Sequence, residues 1–143
     1  MSQVDFHIIE SKDSAASLSH ACRLVRKAYK NGFRVYIRAE NEQDLNTLDK
    51  LLWTFSDLDF IPHAILDTES GQEPVIIGMI EHQGDDKTIL INLSTKMSEN
   101  YSSYSRVFEL ISNDPTAIDA GRDRYRSYRQ MNDELSTHPI AAD

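Results

Sequence analysis

The segment Arg122-Asp123-Arg124-Tyr125-Arg126-Ser127-Tyr128-Arg129 crowds four arginines and two tyrosines into eight residues of a chain whose formal net charge is -8. A helix turning about 100° per residue would gather Arg122, Tyr125, Arg126 and Arg129 within roughly a 100° arc and send Arg124 the other way. A guanidinium grips a carboxylate through two parallel hydrogen bonds, and a phenol ring beside it offers an apolar contact. The chemistry available is therefore recognition of a short acidic ligand. A long nucleic-acid backbone fits less well, because the rest of an acidic surface repels phosphates.

Other chemistries lack their residues. His7, His20, His63, His82 and His138 lie at least 13 residues apart, so none forms the i, i+4 pair of a helical metal site. Binding a nucleotide by the common α/β route needs glycines after the first strand, and that place holds Glu10-Ser11-Lys12-Asp13-Ser14. No G-x-S-x-G elbow is present, and the carboxylates follow no recognisable acid and base spacing. The expectation is a protein without cofactor, metal or catalytic residues. Cys22, alone of its kind and on an apolar stripe, reads as a buried structural thiol.

The elements that would carry the arginines follow from periodicity. Val4 to Ile9 is strand-like, and Leu18, Ala21, Cys22, Val25, Ala28 and Tyr29 form a helical stripe that Asn31-Gly32 should terminate. Phe33 to Ala39 alternates as a strand, and Asn41 offers the N-cap of a second helix bearing Leu45, Leu48, Leu51 and Leu52. Strands are expected around Ile61 to Leu66, Val75 to Ile80, Thr88 to Leu93 and Arg106 to Ile111. Turn-rich Asp67 to Glu73 and Glu81 to Asp86 separate the middle ones. Ser112-Asn113-Asp114-Pro115 supplies N-caps and a first-turn proline for a last helix running to about Arg129, with Ala117, Gly121, Tyr125 and Tyr128 inward.

This alternation predicts a three-layer α/β/α domain with a mostly parallel or mixed sheet. Its 143 residues, 40% of them hydrophobic, suit one core. The domain is expected over residues 1–130, and 131–143 is expected to be a frayed polar tail. No apolar run is long enough to cross a bilayer, and the N-terminus lacks a basic region followed by an apolar stretch, so a cytoplasmic location is expected.

Leu51-Leu-Trp53-Thr-Phe55-Ser-Asp-Leu-Asp-Phe60-Ile-Pro62-His63 sets three aromatics around a polar turn. It reads either as a core aromatic cluster or as an exposed patch that binds a partner. The block resembles the L-W-x-x-x-x-x-x-F-[IV]-P-H signature of the chi subunit family of bacterial DNA polymerase III. Arg106-Val-Phe-Glu-Leu-Ile and Arg122-Asp-Arg-Tyr-Arg-Ser-Tyr-Arg129 are similar to the same family's apolar strand and closing R-x-R-Y-[KR]-x-Y-R helix, and the likeness covers roughly residues 1 to 130.

The resemblance implies a non-catalytic accessory subunit of the clamp-loader complex, with a phosphate-loop-NTPase-like topology that has lost its nucleotide loop. It implies that the acidic C-terminal tail of single-stranded DNA-binding protein meets Arg122, Tyr125, Arg126 and Ile111. Arg129, which shares the helix face, joins them as an electrostatic contributor. It also implies that the psi subunit, or another clamp-loader component, meets Trp53, Phe60 and Pro62. Arg126 stands where the family often has lysine, and Gly121 where alanine is common. Two rival readings are direct single-stranded nucleic-acid binding, with Tyr125 and Tyr128 stacking bases, and a cryptic enzyme on a degenerate nucleotide-binding fold.

Overall fold

The computed structural model describes residues 2–54, 60–67 and 72–141. Parts of two sequence expectations, the turn between Trp53 and Phe60 with its Phe55 and the turn after Asp67, lie outside the described residues. The elements run β1 (Gln3–Ile9), α1 (Ser14–Lys30), β2 (Arg34–Arg38), α2 (Glu42–Thr54), β3 (His63–Ile65), β4 (Val75–Gly78) and β5 (Thr88–Asn92). A 3-10 turn at Tyr101–Ser103 precedes β6 (Arg106–Ser112), α3 (Pro115–Gln130) and β7 (Glu134–Ile140).

The helix boundaries follow from caps. Asp13 accepts from the Ala15 amide at 3.0 Å and Asn41 from Asp44 at 2.8 Å. Asp114 accepts from Ala117 at 3.0 Å, immediately before Pro115. Each satisfies an amide that the first helical turn leaves without an intrahelical partner. Gly32, at φ 85°, takes the left-handed turn that ends α1.

The sheet order is β3-β4-β2-β5-β6-β1-β7, and every pairing in it is parallel. Both faces are covered, as a parallel sheet requires. Side chains alternate along each strand, so Val35, Ile37, Phe108 and Leu110 pack towards α1 and α2, while Val4, Phe6, Tyr36, Val107 and Ile111 pack towards α3. Cys22 is fully buried in the first of these cores, and burial pushes its thiol up to about 12. Among the described residues, no helix is long and apolar enough to cross a membrane.

The expectation that residues 131–143 fray is corrected here, because Glu134–Ile140 is the seventh strand, parallel to β1 and at the edge of the sheet. Asn132 turns the chain at φ 60°, and the Asp133 carboxylate accepts from the Tyr101 hydroxyl at 2.6 Å and the Ser2 amide at 3.0 Å. An edge strand has one unpaired side and needs few apolar residues, and it tolerates Pro139. Its sequence therefore carries little of the signal that marks a central strand.

On the α1 side of this edge, β1 and β7 bring polar groups together. Burial pushes the Asp5 carboxyl up, but hydrogen bonds from Arg106 and Ser136 outweigh it and leave the pKa below the ordinary value. The rings of His7 and His20 meet with Nδ1 and Nε2 2.7 Å apart. Burial, then the charges of His7 and Arg23, lower His20 to about 4. A histidine depressed in the fold binds its proton more readily when unfolded, so its stabilisation is complete above an unfolded value near 6.5 and is lost as pH falls from there towards 4. At pH 5 this one group should cost about 2 kcal/mol. Urea unfolding at pH 7 and pH 5 checks this: His20→Gln should lose about 2 kcal/mol less than the wild type on acidification, and an equal loss in both would contradict it.

Candidate functional site

The C-terminal arginines separate into two kinds. Arg124 is buried: its Nε donates to Glu109 at 3.1 Å and its Nη1 to the Thr95 carbonyl at 2.9 Å. Glu109 is fully buried on β6 and accepts in addition from the Tyr128 hydroxyl at 2.6 Å and the Asn92 amide at 3.0 and 3.2 Å. Burial pulls the Glu109 carboxyl above its ordinary range, against the opposing effect of Arg124, Tyr128 and Asn92. Every polar neighbour named here is a donor, the surroundings that a buried carboxylate requires.

Arg122, Arg126 and Arg129 stand exposed on the outer side of α3. Arg122 lies 3.7 Å from Asp119 and Arg126 donates to Asp123 at 2.7 Å, both one turn along the helix. Such exposed i, i+3 pairs contribute little, roughly 0.3–0.5 kcal/mol, so an incoming carboxylate can compete for either arginine.

Beside Arg122 a cleft of about 260 Å³ opens between α3 and the β6-β1-β7 edge, lined by Phe6, Ile8, Ile111, Ile118, Gly121, Arg122, Tyr125 and Thr137. Its walls are almost wholly apolar, with one guanidinium at the rim. Tyr125 packs edge-on against Phe6 with ring centroids 5.2 Å apart, which holds the phenol ring upright at the cleft. Gly121 faces the floor, where a Cβ would meet Ile111 Cδ1 at 2.4 Å. Glycine thus lets α3 rest directly on Ile111, at a cost of ~1 kcal/mol in helix propensity relative to alanine.

The cleft therefore unites Ile111, Arg122 and Tyr125 of the sequence-expected set, and leaves Arg126 and Arg129 outside its lining on the same helix. Sequence reasoning missed Phe6, Ile8, Ile118 and Thr137. Phe6 and Ile8 carry only the ordinary alternation of a strand, and Thr137 comes to the cleft through β7, the strand that composition concealed. Chemically, this is a shallow apolar slot with a cationic rim, suited to an apolar or aromatic side chain attached to a carboxylate.

The second expected set lies at the other end of the sheet. Trp53 at the end of α2 is 57% exposed and Phe60 before β3 is 65% exposed, so the core-cluster reading gives way to a surface patch. Their rings lie 5.5 Å apart, and Trp53 also meets the buried His63 ring edge-on at 4.7 Å. His63 is held by the Ile61 carbonyl at 2.8 Å and the Asp49 carbonyl at 3.2 Å. Pro62 is half-buried beside them.

At the place where a nucleotide-binding α/β protein holds phosphate, the N-terminus of α1 is capped by the Asp13 carboxylate. A fixed negative charge there opposes an anion. Among the described residues, no group of three or more His, Cys, Asp or Glu side chains is arranged to hold a metal ion.

Comparison with known proteins gives one consistent result. The sequence model of a family described as "DNA polymerase III chi subunit, HolC" matches residues 1–136. The chain is 38% identical over 140 residues to the DNA polymerase III subunit chi of Pseudomonas aeruginosa, covering 98% of each. It is 24% identical over 143 residues to that of Escherichia coli K12, covering 96% of this chain and 97% of the relative. The corresponding Haemophilus influenzae protein is 25% identical over 138 residues, with 94% and 95% covered. Among solved structures, that of T4 UvsW superposes with a TM-score of 0.68 at 8% identity, over 97% of this chain and 41% of that one, a likeness of fold alone.

The two kinds of arginine should respond differently to truncation. Arg124→Ala strands the Glu109 charge in the core and should cost about 3–5 kcal/mol in urea unfolding. Arg122→Ala should stay within about 0.5 kcal/mol of the wild type. Equal stabilities of the two variants would show that the buried pair is not structural.

Proposed function

This chain belongs to the DNA polymerase III chi subunit family, a family of non-catalytic accessory subunits, and we propose that it ties the clamp-loader complex of a bacterial, cytoplasmic replisome to the acidic C-terminal tail of single-stranded DNA-binding protein. The observation that carries this reading is the α3 cleft. An apolar slot with Arg122 at its rim matches a peptide end that presents an aromatic ring and a free carboxylate together. Ile111 and Tyr125 take the ring, Arg122 takes the terminal carboxylate, and Arg126 and Arg129 attract the tail's aspartates as it leaves the slot.

Naked single-stranded nucleic acid is a poorer fit. Asp119 and Asp123 interleave with the arginines of α3, and Tyr128 is buried beneath the helix, so it is not free to stack a base. The all-parallel sheet covered on both faces is compatible with a phosphate-loop-NTPase-like framework, and the Asp13 cap on α1 with the lack of glycine from Glu10 to Ser14 speaks against nucleotide held there. The exposed Trp53-Phe60 pair, with Pro62, is the anchor for the psi subunit or another clamp-loader component. Exposed aromatics are enriched in such interfaces, and tryptophan is among the residues that dominate their energy.

Fluorescence anisotropy with a labelled peptide copying an acidic, Phe-terminated tail tests the first contact. Arg122→Ala should weaken binding roughly tenfold or more, since a charge-assisted hydrogen bond is worth ~1.5–3 kcal/mol. Wild-type affinity should also fall as salt is raised. Unchanged affinity in the variant would sink the assignment, and a flat salt response would make the slot aromatic-driven instead.

For the second contact, Trp53→Ala should abolish co-purification with the clamp loader and leave peptide affinity unaltered. Loss of both activities together would mean that Trp53 supports the fold and is not an interface anchor.

A further inference from the structure

The sheet face turned away from the tail cleft carries a larger, separate opening. The N-terminal half of α1 reaches β1 through His20 and His7, and beside its C-terminal half a cleft of about 720 Å³ lies between the helix and the strands. Leu24, Ala28, Phe33, Ile89, Phe108 and Ile140 make its apolar walls. Among the described residues, the charged side chains that line it are Lys27 and Arg106, with His7 and His138 beside them, and no carboxylate lines it. The Asp5 carboxylate beside it is buried and already engaged by Arg106 and Ser136.

Arg106 is set in position rather than loose. Its Nε donates to Asp5 at 2.5 Å, and its guanidinium lies 4.8 Å over the Phe108 ring. Asp5 engages the Nε, and the terminal nitrogens of the side chain, which is 41% exposed, remain to meet a ligand. A cation fixed against an aromatic wall, with a second cation on the opposite helix, is a receptor for a charged head on an apolar body. The volume falls in the range of small-molecule sites, roughly 300–1,000 Å³.

We propose that this cleft binds a small amphipathic organic anion, its carboxylate, sulfonate or phosphate head between Arg106 and Lys27 and its aromatic or branched apolar body against Phe33 and Phe108. The site is independent of the tail cleft, which lies on the other face of the sheet.

Anilinonaphthalene sulfonate, an aromatic anion whose emission rises in apolar surroundings, is the probe. It should bind the full-length protein saturably, and Lys27→Glu, a change on the exposed side of a helix, should weaken it roughly fivefold or more. Arg122→Ala should leave its affinity unaltered. Amide shifts in the NMR spectrum on adding the dye should centre on residues 24–33, 89, 106–108 and 138–140. Three results would each overturn the proposal: shifts centred on α3 or on Trp53, an affinity insensitive to Lys27→Glu, or shifts in this cleft that the acidic tail peptide produces and the dye does not. Shifts there that appear on raising protein concentration without dye would overturn it too, making the face a contact between copies of the chain.

Discussion

The buried Glu109 carboxylate sets the orientation of everything on the α3 side of the molecule. It stands on β6 with no solvent to stabilise its charge, and Arg124 and Tyr128, one turn apart on α3, both reach it. Two such contacts at i and i+4 fix the helix's rotation as well as its distance from the sheet. Taking Arg124 as zero and about 100° per residue, Gly121 lies near 60°, Tyr125 near 100°, Ile118 near 120°, Arg122 near 160° and Arg126 near 200°. The same helix thus passes continuously from buried ion pair, through glycine against Ile111, to the cleft residues and finally to solvent. A small rotation of α3 would lift Arg122 away from the slot or drive Tyr125 out of its contact with Phe6. An apolar pair at the two buried positions could hold α3 against the sheet equally firmly, so what the ionic set adds is a geometry with one acceptable register.

Much of this was legible beforehand. Periodicity and caps located the three α-helices of the described residues, because Asp114-Pro115 and Asn31-Gly32 are local signals whose meaning does not depend on tertiary contacts. The arc holding Arg122, Tyr125, Arg126 and Arg129 is likewise a property of the helix alone. Helical geometry also sent Arg124 to the opposite side, but nothing local said that this side was the protein core or that Glu109, fifteen residues earlier, waited there. Glu109 lies in a strand whose neighbours are apolar, and a lone carboxylate in such a run gives no sign of whether it faces water or an arginine. The edge strand β7 was hidden for a related reason: its stability comes from pairing along β1 and from the Asp133 anchor, neither of which is written in its own composition.

Trp53 and Phe60 show the opposite limit. Residue type alone pulls large aromatics inward, yet these two are left in water at the end of α2 and the start of β3. Two features explain the placement: α2 buries Leu45, Leu48 and Leu52, which uses up its inward face, and Ile61 fills the adjoining core position before β3. Trp53 then falls on the outer side of the helix, where its ring meets those of His63 and Phe60. Exposed apolar surface of this kind is costly to maintain unless a partner covers it.

The parallel sheet gives the proposed link its mechanical character. The Trp53-Phe60 patch sits by β3, at one edge, and the tail cleft sits over β1, five strands away in the order β3-β4-β2-β5-β6-β1. At about 4.8 Å per strand the two surfaces are separated by roughly 24 Å of hydrogen-bonded backbone. Ligands bound at both would not compete for area. Neither site contains a group whose pairing must break for the other to form: Arg122 and Tyr125 belong to α3, Trp53 to α2, and the two helices cover opposite faces of the sheet. With no described residue shared between them, the two sites are expected to be only weakly coupled. Under the proposed linking role, such separated ends would let each contact exchange at its own rate while the other holds the complex together.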